Sequence, residues 1–313
     1  MEPYLRPELL SVIAQTPPQT PWDLPALRGA GDELFGGLRP ALGDTKLQVT
    51  TIADAAGGSI ELRCLSPKNG IVQAVMVAIH GGGYVAGRAE FDDARNAELA
   101  TALQTRIYSP EYRLAPEHPF PAGIADCLAA ITYAAEQAGD AGAPLYVFGD
   151  SAGAGLAYLA TLKYCATALP VEPGNREHPK PVAGLILFEP CLDPRSETDS
   201  MRTHGDGPVW TRRANQVAWQ LATPDPKIRG DVITALNPAA IPDSFPRTLV
   251  VANPADPLRD EGVNLARNLI DGGVETELHI YPGTFHGALS IPHTPVWGEI
   301  KELLRRFCTQ KTA

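Results

Sequence analysis

Pro144-Leu145-Tyr146-Val147-Phe148 runs into Gly149-Asp150-Ser151-Ala152-Gly153 and then into Ala154-Gly155-Leu156-Ala157-Tyr158-Leu159-Ala160-Thr161-Leu162. A short apolar run of β-formers is thus joined to a helix-forming run through one tight turn. A G-x-S-x-G pentad in that strand–turn–helix setting reads as a nucleophile elbow. Gly149 and Gly153 flank the serine because side chains there would collide with the neighbouring strand and helix. The helix N-terminus then aims free backbone N–H groups at charge developing beside Ser151. Alone, the pentad also reads as an ordinary turn with Ser151 as an N-cap. Three further segments decide between the two readings.

His80-Gly81-Gly82-Gly83-Tyr84 follows Ala74-Val75-Met76-Val77-Ala78-Ile79, which reads as a buried strand. Successive glycines let the backbone approach a bound group and turn N–H donors towards it. The N–H groups of Gly81 and Gly82, with that of Ala152, are therefore expected to form an oxyanion hole. His80 reads as a loop-fixing partner rather than a base. Asn253-Pro254-Ala255-Asp256-Pro257-Leu258 follows the strand-like Thr248–Ala252, and Asp256 is the expected acid. Asp260 and Glu261 open a helix, where acids favour the dipole. Asp193, after the strand-like Gly184–Phe188, is a weaker rival. Tyr281-Pro282-Gly283-Thr284-Phe285-His286-Gly287 follows an alternating strand and supplies the expected base. Of the seven histidines, only His286 combines a late strand end, a glycine-flanked loop and the chain order Ser151, Asp256, His286. His204 reads equally as facing a substrate entrance or solvent.

Tyr112-Arg113-Leu114-Ala115-Pro116-Glu117-His118-Pro119-Phe120-Pro121-Ala122 completes the set. It resembles the Y-R-L-A-P-E-x-x-F-P-A signature of the hormone-sensitive-lipase-like carboxylesterases; of that family's two main elbow types, Gly-Asp-Ser-Ala-Gly and Gly-Thr-Ser-Ala-Gly, this chain has the first. The other segments resemble that family's remaining signatures and occur in its order, from about Val75 to His286. The resemblance implies an α/β-hydrolase fold: a mostly parallel sheet flanked by helices, with a helical cap. It implies Ser151, Asp256 and His286 as triad, and Gly81, Gly82 and Ala152 as oxyanion donors. Arg113 and Glu117 would fix the loop network behind the site, and Asp150 would contribute to the acyl pocket or to the bonds around it. The family often continues its elbow with Gly-Gly-Asn; here Ala154-Gly155-Leu156 follows. It often has a bulky residue after the His-Gly pair; here Ala288 stands there. A homodimer is a family-level expectation.

A chain of 313 residues suits one α/β domain with an insertion. Its net charge of −10 disfavours nucleic acid as a partner, since phosphate binding needs a basic face. Cys64, Cys127, Cys165, Cys191 and Cys308 are scattered, with no C-x-x-C pair, so neither a zinc site nor a disulfide framework is suggested. No stretch approaches a membrane span, and the N-terminus lacks a basic start with an apolar run, so a cytoplasmic protein is expected.

Strand-like and helix-like segments alternate from Leu47 onward, beginning with an antiparallel pair, Leu47–Ile52 and Ser59–Leu65. The later alternation predicts a mostly parallel sheet covered on both faces, with its site at the carboxyl edge. Residues 1–44 and 192–243 break the rhythm and are expected to form a cap over the core segments 45–191 and 244–313. Within the cap, Val209–Leu221 reads as an amphipathic helix. Its Trp210 and Trp219, like Tyr84, are candidates for the substrate pocket; both tryptophans read equally as packing residues. The expected reaction is hydrolysis of short- to medium-chain carboxylic esters through an acyl-enzyme, with no metal or organic cofactor. Amide or lactone hydrolysis on the same triad, or a non-catalytic binding role, are the alternatives.

Overall fold

The computed structural model describes residues 4–15, 23–35, 42–54, 57–167 and 180–310. Eight strands form one sheet: β1 (Thr45–Ala53), β2 (Ser59–Pro67), β3 (Ala74–Ile79), β4 (Thr105–Pro110), β5 (Leu145–Asp150), β6 (Val182–Phe188), β7 (Thr248–Ala252) and β8 (Thr276–Ile280). Their order is β1-β2-β4-β3-β5-β6-β7-β8. The pairings β1/β2 and β2/β4 are antiparallel, and all the others are parallel. The expected opening hairpin and parallel core are both present.

The central strands are continuous apolar runs because helices cover both of their faces. Alternate side chains feed separate cores. Val75, Val77 and Ile79 enter one core with Leu145 and Val147. Ala74, Met76 and Ala78 enter the other with Tyr146 and Phe148. The first core is closed by α4 (Ala122–Ala141), α5 (Ala152–Thr167) and α9 (Arg259–Asp271). The second is closed by α1 (Pro7–Gln15), α3 (Asp93–Ala102) and α10 (Pro295–Thr309).

Between β6 and β7 the chain leaves the sheet for α6 (Asp199–Thr203), α7 (Arg212–Ala222) and α8 (Pro226–Ala235). Each starts at a side-chain cap, where Thr198, Thr211 and Asp225 accept from Met201, Ala214 and Lys227 N–H. The N-terminal segment is tied to loops at the carboxyl edge. The Arg6 N–H donates to Gly283 O at 2.9 Å, and the Arg6 guanidinium pairs with Glu299 on α10. On α2 (Leu24–Phe35), Arg28 donates to Val85 O at 2.7 Å and forks onto Glu117. Residues 171–181, whose polar and proline-containing sequence reads as an exposed loop, fall almost wholly outside the described residues.

Candidate active site

Strand β5 ends in a backbone turn sharp enough to hold Ser151 at φ +55°, a region that non-glycine residues rarely occupy. The strain is held by backbone bonds. Ser151 N–H donates to Phe188 O at 2.9 Å, and Ser151 O accepts from the N–H groups of Ala154 and Cys191 at 3.0 and 3.1 Å. The glycines are obligatory. A Cβ on Gly149 would lie 2.3 Å from Gly153 O, and one on Gly153 would lie 2.2 Å from Ile79 O. The unusual Gly155 has the same reason: its Cβ would lie 2.2 Å from both Cys191 O and the Tyr84 hydroxyl.

Asp256, in the loop after β7, is fully buried. Its Oδ1 accepts from Leu258 N–H at 2.8 Å, and its Oδ2 takes a longer bond from Asn253 Nδ2 at 3.3 Å. His286, in the loop after β8, meets Asp256 Oδ2 through Nδ1 at 2.9 Å and Ser151 Oγ through Nε2 at 3.0 Å. A carboxylate only accepts, so Nδ1 carries the proton and Nε2 is left to accept from the serine hydroxyl. Burial works against an imidazolium here, but the charges of Asp256 and Asp150 and the Asp256 hydrogen bond outweigh it, and the His286 pKa is raised. Asp193, the rival acid, is instead forked by Arg195. His204 lies 3.4 Å from an Arg259 nitrogen, and His279 pairs with Glu277.

The glycine loop packs directly on the elbow. A Cβ on Gly81 would sit 3.2 Å from Asp150 O and 3.5 Å from Ser151 Cβ. Gly82 has φ +119°, and a side chain there would run into Ala86 O. Ala152 opens α5, so its N–H is one of the helix's donors without an intrahelical acceptor. His80 is buried and donates from Nδ1 to Gly81 O at 2.8 Å, while its ring stacks on Tyr112. The Tyr112 hydroxyl donates to His80 O at 2.9 Å. Burial pushes the His80 pKa down to about 4, so the ring is a neutral brace for the loop. Behind it, Arg113 is forked onto fully buried Asp126, and Glu117 pairs with Arg28.

The four side chains expected along the pocket divide. Trp210 edges Gly83, where a Cβ would lie 2.4 Å from its ring, and its centroid is 6.3 Å from that of His286. Trp219 is buried against Tyr84 and Phe120, and the Tyr84 hydroxyl donates to Cys191 O at 2.6 Å. These two pack α7 onto the core. The Asp150 carboxylate is held by Arg95 at 3.0 Å and by the Ser290 hydroxyl at 2.7 Å.

Sequence reasoning did not single out Arg95, Asn253, Glu189 or the buried role of Glu261. Glu189 had one signal, an acid directly after an apolar strand at the sheet's carboxyl edge. It is 1 % exposed and accepts from Gly287 N–H at 2.7 Å. Donor atoms of Glu189, Asp256 and His286 come within 4.8 Å of one another. Each is already engaged in the bonds just described, so the group is a hydrogen-bonded cluster rather than a metal site.

Glu261 accepts from the N–H groups of Leu192 and Asp193 at 2.6 and 2.8 Å and anchors the chain as it enters the cap. Burial pushes its pKa up to about 8, against an ordinary 4.5. Between those values the folded protein holds a proton that the unfolded chain releases, so this group's contribution to stability falls as pH rises from 4.5 to 8. Glu261→Gln keeps an acceptor for both N–H groups and has nothing to ionise. Its urea midpoint should overtake that of the wild type as pH rises, by about 1–3 kcal/mol in unfolding free energy. A constant difference between the two proteins across that range would refute the buried-acid reading.

The sequence matches the α/β-hydrolase fold family over residues 76–290. It is 31 % identical over 247 residues to the carboxylic ester hydrolase LipN of Mycobacterium tuberculosis, covering 75 % of this chain and 62 % of LipN. It is 30 % identical over 228 residues to the carboxylesterase NlhH of the same species, covering 70 % of this chain and 68 % of NlhH. A solved bacterial heroin esterase superposes with a TM-score of 0.85 at 32 % identity, over 98 % of this chain and 99 % of the esterase. The chain belongs to the α/β-hydrolase fold family. Its motifs set it in the hormone-sensitive-lipase-like branch.

Proposed function

We propose that this chain is a serine carboxylesterase that hydrolyses short- to medium-chain carboxylic esters through an acyl-enzyme. The reading is carried by the unbroken hydrogen-bonded line from Ser151 Oγ through His286 to buried Asp256. Ser151 attacks the ester carbonyl as His286 Nε2 takes the hydroxyl proton. Asp256 holds the imidazole tautomer and stabilises the cation that forms. The N–H groups of Gly81, Gly82 and Ala152 receive the oxyanion, each contributing about 3 kcal/mol in the transition state. His286 then protonates the departing alcohol and activates the water that frees Ser151. A complete, connected triad counts against a non-catalytic binding role. The carboxylesterases among the relatives favour esters over amides or lactones.

Residues 192–243 form the cap with α2, while α1 packs on the second core, and Trp210 is the pocket wall that limits the acyl chain, supported by its contacts with Gly83 and His286. The partner is a small ester, not nucleic acid. Among the described residues no helix is long and apolar enough to cross a membrane. A reducing, cytoplasmic setting is supported by five unpaired cysteines, four of them buried. β8, an outer strand of the sheet, and α10 offer the surface for a homodimer. Initial rates on p-nitrophenyl esters from acetyl to palmitoyl test the assignment. The expected result is a kcat/KM maximum at short or medium chains. A palmitoyl ester turned over as fast would overturn the size limit, and no turnover on any ester would move the reaction to an amide or lactone.

A further inference from the structure

Glu189 is a buried acid that pairs with no lysine or arginine among the described residues, although it sits in the middle of the site. Its backbone has φ +39°, another left-handed non-glycine residue at a strand end. One carboxyl oxygen accepts from Gly287 N–H at 2.7 Å, and the other accepts from Asn253 Nδ2. That second oxygen lies 4.0 Å from His286 Nδ1. The side chain therefore touches the residue after the base and the amide that also reaches Asp256. Its third neighbour is Asp150, next to the serine: β5 and β6 pair Asp150 with Phe188, the residue before Glu189, and the two carboxyls act on one another.

Two facing carboxylates repel, and neither can donate. One oxygen of Asp150 is accounted for by Arg95 and Ser290. The other, Oδ1, is buried with no donor partner among the described residues. An orphaned buried acceptor facing a carboxyl is resolved by one proton between them. We propose that Glu189 is a positioning residue of the triad: it carries a proton, donates it to Asp150 Oδ1, and so ties the His286 loop to the nucleophile elbow.

The charges around the pair decide which partner keeps the proton. Asp150 already accepts from a guanidinium and a hydroxyl, so it is the acceptor of the pair. Glu189 has two neutral donors, and Asp150 and Asp256 flank it. Burial first, and then these two carboxylates, push its pKa well up from the ordinary range. Neutrality has a consequence for the base. A full negative charge 4.0 Å from Nδ1, added to Asp256, would hold His286 as the imidazolium and leave Ser151 without an acceptor. A protonated Glu189 braces the loop without that charge.

The proposal rests on the triad reading, so its test separates the two. Infrared difference spectra are recorded for wild type against Glu189→Gln at neutral pH, in water and deuterium oxide, and repeated in a Ser151→Ala background. The expected result is a protonated-carboxyl C=O band that shifts on deuteration, is missing in Glu189→Gln, and survives in Ser151→Ala. A difference spectrum showing only ionised carboxylate would overturn the proposal while leaving Ser151-dependent turnover intact. Conversely, turnover surviving in Ser151→Ala would sink the triad and leave the band. In the pH profile, glutamine cannot both donate to Asp150 and accept from Asn253, so kcat should fall about tenfold. The acid limb of kcat/KM should stay where it is, because no charge has been removed. A fall of that limb by about one pH unit or more would mean a charge was lost, and would also overturn the proposal. If Glu189→Gln does not fold, Glu261→Gln removes a second buried acid whose pKa is raised and leaves Glu189 in place. Its spectrum at neutral pH must still hold a protonated-carboxyl band, and absence of that band refutes the claim.

Discussion

Ser151→Ala leaves a folded protein whose ester turnover is lower by about four orders of magnitude or more. The substitution removes the hydroxyl through which His286 Nε2 reaches the elbow, at 3.0 Å, and leaves the oxyanion donors in place. What remains is whatever binding and N–H polarisation achieve without a nucleophile. Stability should scarcely move, because the elbow is held by backbone bonds to Phe188, Ala154 and Cys191 that alanine makes equally well. Ser151→Gly sharpens the test. At φ +55° a glycine relieves strain that both serine and alanine carry, so this variant should be as inactive and about 1 kcal/mol more stable than the alanine variant. Initial rates on a short p-nitrophenyl ester, with thermal melts of the same samples, read both effects. Undiminished turnover in pure Ser151→Ala protein would remove Ser151 from the mechanism.

The site was legible where chemistry forces unusual residues onto strand ends. Gly149 and Gly153 are legible because the turn has no room for Cβ atoms, and Asp256 and His286 because each follows an apolar strand at the same edge. The strands themselves were legible because both faces are buried, which makes continuous apolar runs. Helix α3 left no such trace. It buries Asp93, Arg95 and Asn96 beside Ala97, Leu99 and Ala100, so its apolar periodicity is interrupted by a polar network. Arg95 joins Asp150 across 55 residues, a pairing that no local pattern announces. Glu189 looks in sequence like the first polar residue of a loop, and only the fold shows that Asp150, Asn253 and Gly287 close around it. The two tryptophans differ for a reason of register. Trp210 precedes α7 and lies against Gly83, whereas Trp219 sits on the helix's inner face against Tyr84.

Asp256→Asn is the second large effect, and its cause is a tautomer. Asp256 Oδ1 is claimed by Leu258 N–H at 2.8 Å, so an asparagine keeps its oxygen there and turns its amide nitrogen towards His286. That nitrogen donates to Nδ1, which must then be unprotonated, and the ring proton moves to Nε2. Nε2 now offers Ser151 a donor where an acceptor is required. The expected loss in kcat at neutral pH is about 10⁴-fold, with KM far less affected. The pH profile adds an independent readout. The raised pKa of His286 places the wild-type acid limb above the ordinary histidine value of 6.5, and activity falls as pH drops through it because the base becomes protonated. Asparagine removes the Asp256 charge and hydrogen bond that oppose burial, so the residual activity should titrate at lower pH. An Asp256→Asn enzyme within tenfold of wild type, with an unmoved acid limb, would show that another acid orients the base. Glu189, at 4.0 Å from Nδ1, would be the acid to test next, and its predicted neutrality is the reason it should fail to substitute.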